Sequence, residues 1–591
     1  MCGITSIFRF TRISEDDKQR LVRMNREMYY RGPDGEGFWD DDICALAHTR
    51  LSIIGLANGG QPLFNEDRSL VLVCNGEIYN YVELRKQLIA KGHRFSSDSD
   101  NETIIHLYEE YGSECLQYMR GMFAFCLYDT NNKKLFVARD RVGEKTLYYS
   151  QLPTGVVFST ELKAILKYYV DKPQINAHAL AEAIRTNYPI EPRQTFVEQI
   201  KRLEAGQYAI VDESGLSLHC YWKRKHDPVF EGTTDEARDK FLYLMRESVM
   251  NCLQSEVPVA VLLSSGIDSS AIAAMAKESG QDIHVICAGY KGSFAQDERS
   301  IAKRFASEKG LIYHEVELDV TDFQSLFEEY TQYIDEPACD VSAMSQYALY
   351  KKAKEMGFTV LLSGIGGDEL FYGYPWHNRL AESISLHREH MSLFPWKGKK
   401  KQFIRYFAKN WKNVLFAGYP TVKLDDAPPV AWTYNDYKEF AKSATLSING
   451  ETISFKDIDV HYSFSTESTL DDIYDFYFDK FMCHLCLYLS DRLGMANATE
   501  IRSPLLDYQL VEFVSSLPTE MKFKDKQPKG FYKYCLRGIV PDYILEGKKR
   551  GFEPPWPFIN KMNDSYHYNR IQGQSVFYNS MVADSLLTKL L

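Results

Sequence analysis

The sequence predicts two folds in one chain: a sandwich of antiparallel sheets, then a doubly wound parallel sheet. Three observations predict them. Up to about residue 210, short apolar strands such as Leu135–Ala138 and Gly155–Phe158 alternate with turns, as in antiparallel sheets. From about Ala237, helical stretches alternate with short apolar runs, as in a parallel sheet covered on both faces. At 591 residues the chain also exceeds one ordinary core, so two or more domains are expected.

Composition narrows the function. Charged residues at 25% and apolar ones at 45% are ordinary globular values. The formal charge of −11, with no concentrated basic run beyond Lys397–Lys401, argues against a nucleic-acid partner. The one C-x-x-C pair, Cys483 and Cys486, sits in an apolar helical stretch with no second pair, so a core role is expected rather than zinc. The other cysteines are scattered, which predicts reduced thiols and a cytoplasmic protein. The N-terminus lacks a signal-peptide pattern and no apolar run reaches spanning length, so no membrane partner is expected.

The first domain is read from Cys2. Trimming of Met1 would leave a thiol beside an α-amino group of pKa about 8, a nucleophile with its own base. Cys2-Gly3-Ile4 leads an apolar strand. Arg31-Gly32-Pro33-Asp34-Gly35, His48 to Ile53, Asn75 to Asn80, Ser99 to Glu102, Gly121 to Phe125 and Ala138 to Lys145 follow. The domain is expected to span 2–210. The turn Asp212–Gly215 and a charged stretch would form a linker over 211–236.

The second domain, 237–591, opens with an amphipathic helix over Lys240–Leu253 and a buried strand over Val259–Leu263. The strand runs into Ser264-Ser265-Gly266-Ile267-Asp268-Ser269, where small residues permit a tight turn into an Ala-rich helix. Free amides and the positive helix end there suit an anion. The absent lysine argues against G-x-x-x-x-G-K-[ST]. Further strands are expected at His284–Tyr290, Tyr313–Leu318 and Thr359–Leu362, with a helix at Ser300–Lys309. The last strand ends in Ser363-Gly364-Ile365-Gly366-Gly367-Asp368-Glu369. Ligands gather at the carboxyl ends of such strands, so two Gly-rich ends, each carrying an Asp, fit a nucleotide–metal site. The stretch 386–463, with Pro428-Pro429, reads as a poorly matched insertion.

The blocks behind Cys2 resemble the glutaminase domain of the class II, N-terminal-nucleophile amidotransferases, an α+β sandwich. The pattern S-x-G-x-D-S resembles the N-type ATP pyrophosphatases. With Leu489–Ala496, Thr499–Asp507, Lys533–Arg537 and Lys548–Phe552, the chain resembles the glutamine-hydrolysing asparagine synthetases along nearly its whole length. The resemblance implies that Cys2 attacks glutamine, with Asn75 and Gly76 as oxyanion donors worth ~3 kcal/mol each. Arg50 would pair with the glutamine carboxylate, and Glu77 and Asp100 with its ammonium. Leu263, Ser264, Ser265, Gly266, Asp268, Ser269, Ala288, Ser363 and Gly364 would hold ATP. Asp268 and Asp368 would hold Mg²⁺, and Lys533 would face the phosphates.

The implied reaction adenylates a carboxylate and amidates it with glutamine-derived ammonia. Homodimeric assembly is carried as an open expectation. Two departures bear on the acceptor: Ser265 stands where the family has Gly, and Ile365 where it has Glu. The readings are therefore an asparagine synthetase, the same chemistry on another carboxylate such as a sugar uronate or biosynthetic intermediate, or a non-catalytic binding or regulatory homologue. A β-lactam-forming relative is disfavoured, since such cyclases need no glutaminase.

Overall fold

The computed structural model describes residues 2–171, 173–292, 297–319, 323–338, 340, 342–374, 378, 421–423, 445–448, 451–460, 463–465 and 469–547. The basic run 397–401, the Pro428-Pro429 pair, the segment 548–552 and most of the insertion lie outside them.

The first domain is built on two six-stranded antiparallel sheets. One runs, edge to edge, Lys201–Arg202, Tyr148–Leu152, Gly155–Ser159, Gly3–Arg9, Cys44–Arg50 and Gly35–Asp40. The other runs Gly215–Cys220, Gln207–Asp212, Lys134–Arg139, Gly121–Asp129, Leu70–Ile78 and Leu63–Phe64. Period-two alternation explains the layering. Ile4 and Phe8 meet Val71 and Val73 in the core between the sheets. Ile7 points the other way, toward Leu21 and Met24 of helix Glu15–Glu27. Leu70 and Leu72 likewise meet Ile104 and Leu107 of helix Glu102–Tyr111. The result is a helix–sheet–sheet–helix sandwich.

The hairpin 207–220 corrects the expected domain boundary. Gln207–Asp212 pairs with Lys134–Arg139 in register Tyr208↔Ala138 to Val211↔Leu135, and Gly215–Cys220 pairs outside it. The Asp212–Gly215 turn therefore lies within the sheet, and the sandwich extends past 210 into the stretch expected to be linker. The next helix, Thr234–Cys252, begins before the expected Lys240. Thr233 caps it through a reciprocal box with Glu236: the Glu236 N–H donates to Thr233 Oγ1 at 3.2 Å, and the Thr233 N–H to Glu236 Oε2 at 2.8 Å.

The second domain holds a five-stranded parallel sheet in the order Ile312–Leu318, His284–Tyr290, Val259–Leu262, Val360–Leu362, Glu500–Arg502. Successive strands spread outward from Val259–Leu262 in both directions, which makes its carboxyl end a topological switch point. Helices cover both faces. Thr234–Cys252 and Ile267–Lys277 contribute to one core, Ala343–Glu355 and Leu487–Met495 to the other. Cys483 is buried, with its Sγ 3.0 Å from the Val142 carbonyl, as a core role predicts. No helix among the described residues is long and apolar enough to cross a membrane.

Buried charge joins the two domains. Arg31 pairs with Asp491 at 2.9 Å, Arg202 with Glu336 at 2.6 Å, and Arg492 with both Glu161 and Asp335.

Candidate active sites

Cys2 opens the central strand of the first sheet and is almost wholly buried. Its backbone N–H donates to Asn75 Oδ1 at 2.9 Å. That leaves Asn75 Nδ2 as a buried donor without a hydrogen-bond partner, beside the thiol. Buried amides are normally satisfied, so an orphan donor here suits a transient oxyanion. Burial pushes the Cys2 thiol up from its usual value, with the charge of the chain terminus pulling partly back. The neighbouring Gly76 admits no side chain: an added Cβ would lie 2.2 Å from the Met122 carbonyl oxygen.

Glu77 and Asp100 form a buried acidic pair. Asp100 Oδ2 accepts from the Ile78 N–H at 2.7 Å. Burial raises the Asp100 carboxyl to about 6, although the Ile78 and Asn101 amides oppose it. Burial, followed by Asp100 and Glu500, holds Glu77 well above the carboxylate range. Two buried acids raised in this way invite a cation. Arg50, at the end of strand Cys44–Arg50, donates from Nη2 to the Gly55 carbonyl at 2.7 Å, which ties it to the loop 54–59. Gly59 leaves room for that guanidinium, since a Cβ there would stand 2.7 Å from Nη2.

The second site lies at the switch point of the parallel sheet, in a cavity of about 300 Å³. Leu263, Ser264, Asp268, Ser269, Ala288, Ser363 and Gly364 line it, Asp368 and Ile365 face it as well, and Gly266 is not among its lining residues. The loop is internally braced. The Ser264 N–H donates to Ser269 Oγ at 3.0 Å, and the Gly266 N–H to Ser264 Oγ at 3.0 Å, just before helix Ile267–Lys277.

Ser265 and Lys533 differ from expectation. The Ser265 hydroxyl donates to Glu298 Oε1 at 2.6 Å, and the residue does not line the cavity. Its CH₂OH ties the loop to the start of helix Arg299–Lys309 instead. The ammonium that reaches the two aspartates is that of Lys529, 2.7 Å from Asp268 Oδ2 and 2.9 Å from Asp368 Oδ1. Lys533 lies one turn further along helix Gly530–Leu536. Burial lowers the Lys529 pKa, but Asp268 and Asp368 outweigh it and raise it above the usual lysine value. Sequence reasoning also missed Glu298, Gln346, Tyr350, Tyr374 and Cys486 on the cavity wall. Cys486 closes a π-helical stretch, Tyr477–Cys486, and wider turns of this kind recur beside functional sites.

The carboxylates fit a divalent cation. One cation already reaches both Asp268 and Asp368, and their oxygens are the hard donors magnesium prefers. Gly367 keeps the approach open, since a Cβ there would sit 2.1 Å from Asp268 Oδ1.

One residue, Arg502, links the two sites. Glu77 pairs with Arg502 at 3.5 Å, and the Arg502 carbonyl accepts from the Ser363 N–H at 2.8 Å, on the cavity wall. A sandwich that opens on a cysteine, packed against a parallel sheet with two Gly-rich strand ends, has the layout of a glutamine amidotransferase fused to a ligase domain, and the chain's matches to known families define that class. Residues 1–222 match the glutamine amidotransferase domain model and residues 240–583 the asparagine synthase model. The chain is 32% identical over 586 residues to asparagine synthetase [glutamine-hydrolyzing] 1 of Bacillus subtilis, covering 95% of this chain and 89% of that one. Asparagine synthetase [glutamine-hydrolyzing] 3 of the same organism is 30% identical, covering 93% and 86%. Amidase chry2 of Gibberella zeae is 28% identical, covering 94% and 90%. The chain belongs to the asparagine synthase family.

Proposed function

We propose that this chain amidates aspartate in the cytoplasm, using ATP, Mg²⁺ and ammonia released from glutamine. The observation that supports the reading is the contact chain Glu77–Arg502–Ser363, which links the Cys2 site of the sandwich to the cavity of the parallel sheet. A free carboxylate resists attack by ammonia, so activation and nitrogen release have to be adjacent and shielded from water.

In the first site, Cys2 Sγ attacks the glutamine side-chain carbonyl and its proton passes to the α-amino group freed by trimming of Met1. Asn75 Nδ2 and the Gly76 N–H stabilise the oxyanion. The Cys2 α-ammonium gives that proton to the amide nitrogen, and the tetrahedral intermediate expels ammonia and leaves a thioester, which water hydrolyses to glutamate. Arg50 holds the substrate carboxylate, and Glu77 with Asp100 holds its ammonium.

In the second site the serine loop and the start of helix Ile267–Lys277 cradle the phosphates. Mg²⁺ held by Asp268 and Asp368 would neutralise charge on the leaving pyrophosphate. Lys529 stands on those same carboxylates, and with Mg²⁺ held there its ammonium would be available to the phosphates. Lys533, one turn on, supplies a further positive charge to the same face.

Ile365 favours a second reading of the acceptor. It places a branched apolar side chain on the cavity wall near Leu349, Tyr350 and Cys486, where the family's usual Glu would offer a carboxylate. The 28% identical relative from Gibberella zeae is named an amidase and not an asparagine synthetase. Pyrophosphate release with ATP, Mg²⁺ and glutamine, measured across a panel of carboxylic acids, decides between them. Aspartate should give the strongest signal. No aspartate-dependent release, with release on a less polar acid, would overturn aspartate as the acceptor.

A further inference from the structure

Outside both active sites, the first domain gathers a mixed histidine–carboxylate cluster. Glu66 lies in the turn before strand Leu70–Ile78, and His93 just beyond helix Tyr81–Lys91. His106 and Glu109 lie one turn apart on helix Glu102–Tyr111. Each offers one donor atom, and the four atoms all lie within 4.8 Å of one another.

The way the rings are held separates this cluster from an ordinary surface ion pair. Each imidazole has a carboxylate behind it. His93 Nε2 faces Glu110 Oε1 at 3.0 Å, and His106 Nε2 faces Glu102 Oε1 at 3.8 Å. Both Nδ1 atoms turn to the same carboxylate oxygen, Glu109 Oε2, at 3.3 Å and 2.7 Å. Asn65 Nδ2 donates to the other oxygen of Glu109 at 2.9 Å and so sets its orientation. His106 is fully buried and its Nε2 has no hydrogen-bond partner. A carboxylate behind each of two converging imidazoles, hydrogen-bonded at His93 and 3.8 Å away at His106, follows the outer-layer arrangement of histidine–metal sites. The spacing His106-x-x-Glu109 puts both donors on one helix face.

We propose that His93 Nδ1, His106 Nδ1, Glu66 and Glu109 bind one zinc ion. Two imidazoles and two carboxylates suit zinc and its first-row neighbours, whereas magnesium and calcium prefer all-oxygen sites. The ion clamps the turn at Glu66, the end of helix Tyr81–Lys91 and helix Glu102–Tyr111 to one another. Through Glu102 it also braces the loop that leads to Asp100. Glu102 Oε1 accepts from the Ser96 N–H at 2.6 Å and Oε2 from the Ser97 N–H at 2.7 Å, and Ser97 Oγ accepts from the Ser99 N–H at 3.2 Å.

The test uses the full chain, stripped of metal with a chelator and titrated with zinc against a chromophoric competitor. One equivalent should bind, and His93→Gln and Glu109→Gln should each weaken that binding about ten- to a hundredfold. Both side chains reach the surface, so these variants should fold, and circular dichroism checks that they do. Absence of stoichiometric binding, or binding that both variants keep unchanged, would overturn the site. Hydrogen exchange over residues 96–101 should slow on zinc addition in the parent chain and not in His93→Gln. Exchange unaffected by zinc would overturn the bracing role.

Discussion

Arg31 and Asp491 meet at 2.9 Å with almost no exposure on either side, although one belongs to the sandwich and the other to the parallel-sheet domain. The same guanidinium donates from Nε to the Cys2 carbonyl at 3.0 Å and pairs through Nη1 with Glu161 at 2.9 Å. One side chain thus fixes both the backbone of the nucleophile and the domain contact. Arg31→Met would leave two buried carboxylates short of a cation, a loss on the order of 3–5 kcal/mol. A lowered urea unfolding midpoint, with glutamine-dependent turnover falling more than ammonia-dependent turnover, is the expected result.

Cys2→Ala should abolish product formation from glutamine and leave synthesis from added ammonia intact. Parallel assays with the two nitrogen sources check this. Loss of both activities in a folded variant would contradict separate sites.

The buried Asp100 carboxyl, raised to about 6, gives glutamine use an acid limb. Below that pH, Asp100 gains a proton and no longer attracts the glutamine ammonium, so kcat/KM for glutamine should fall about tenfold per pH unit. At constant free ammonia, the ammonia reaction should lack this limb. The loss would not be acid unfolding at this group. Its folded pKa lies above the unfolded value, so Asp100 favours folding most at low pH, and that contribution fades as pH rises through about 6.

Asp268→Asn should stop pyrophosphate release with either nitrogen source. Lys529→Met should slow it by about a hundredfold, in line with loss of one preorganised charge. It should also tighten Mn²⁺ binding in the absence of ATP, because the ammonium competes for the same two carboxylates. Calorimetric titration with Mn²⁺ measures that second effect, and unchanged affinity would remove Lys529 from the metal position.

Much of this was legible before any coordinates. Three of the five parallel strands are largely apolar runs, a fourth, Ile312–Leu318, alternates apolar with polar residues toward its end, and the two Gly-rich strand ends announced the switch point. The fifth strand, Glu500–Arg502, escaped because it has three residues, two of them charged, and is buried only through Arg502 pairing with Glu500 and Glu77. The hairpin 207–220 was visible as a turn, but its outer strand is half-exposed and carries no strong apolar pattern. Ser265 pairs with Glu298, thirty-three residues away, a contact no local spacing encodes. Lys529 and Lys533 stand four residues apart, so sequence could not choose which ammonium meets the aspartates. The backbone decides: Lys529 holds a left-handed conformation at φ 57° just ahead of the helix.

The charges sealed between the domains also bear on inheritance. The pairs Arg31–Asp491, Arg202–Glu336 and Arg492–Glu161 form only when both halves are present. A gene split between the halves would expose each product to several unmatched ions on a surface otherwise shaped for burial. Selection can therefore alter the cavity one residue at a time. It has far less freedom to exchange one catalytic half for a foreign one.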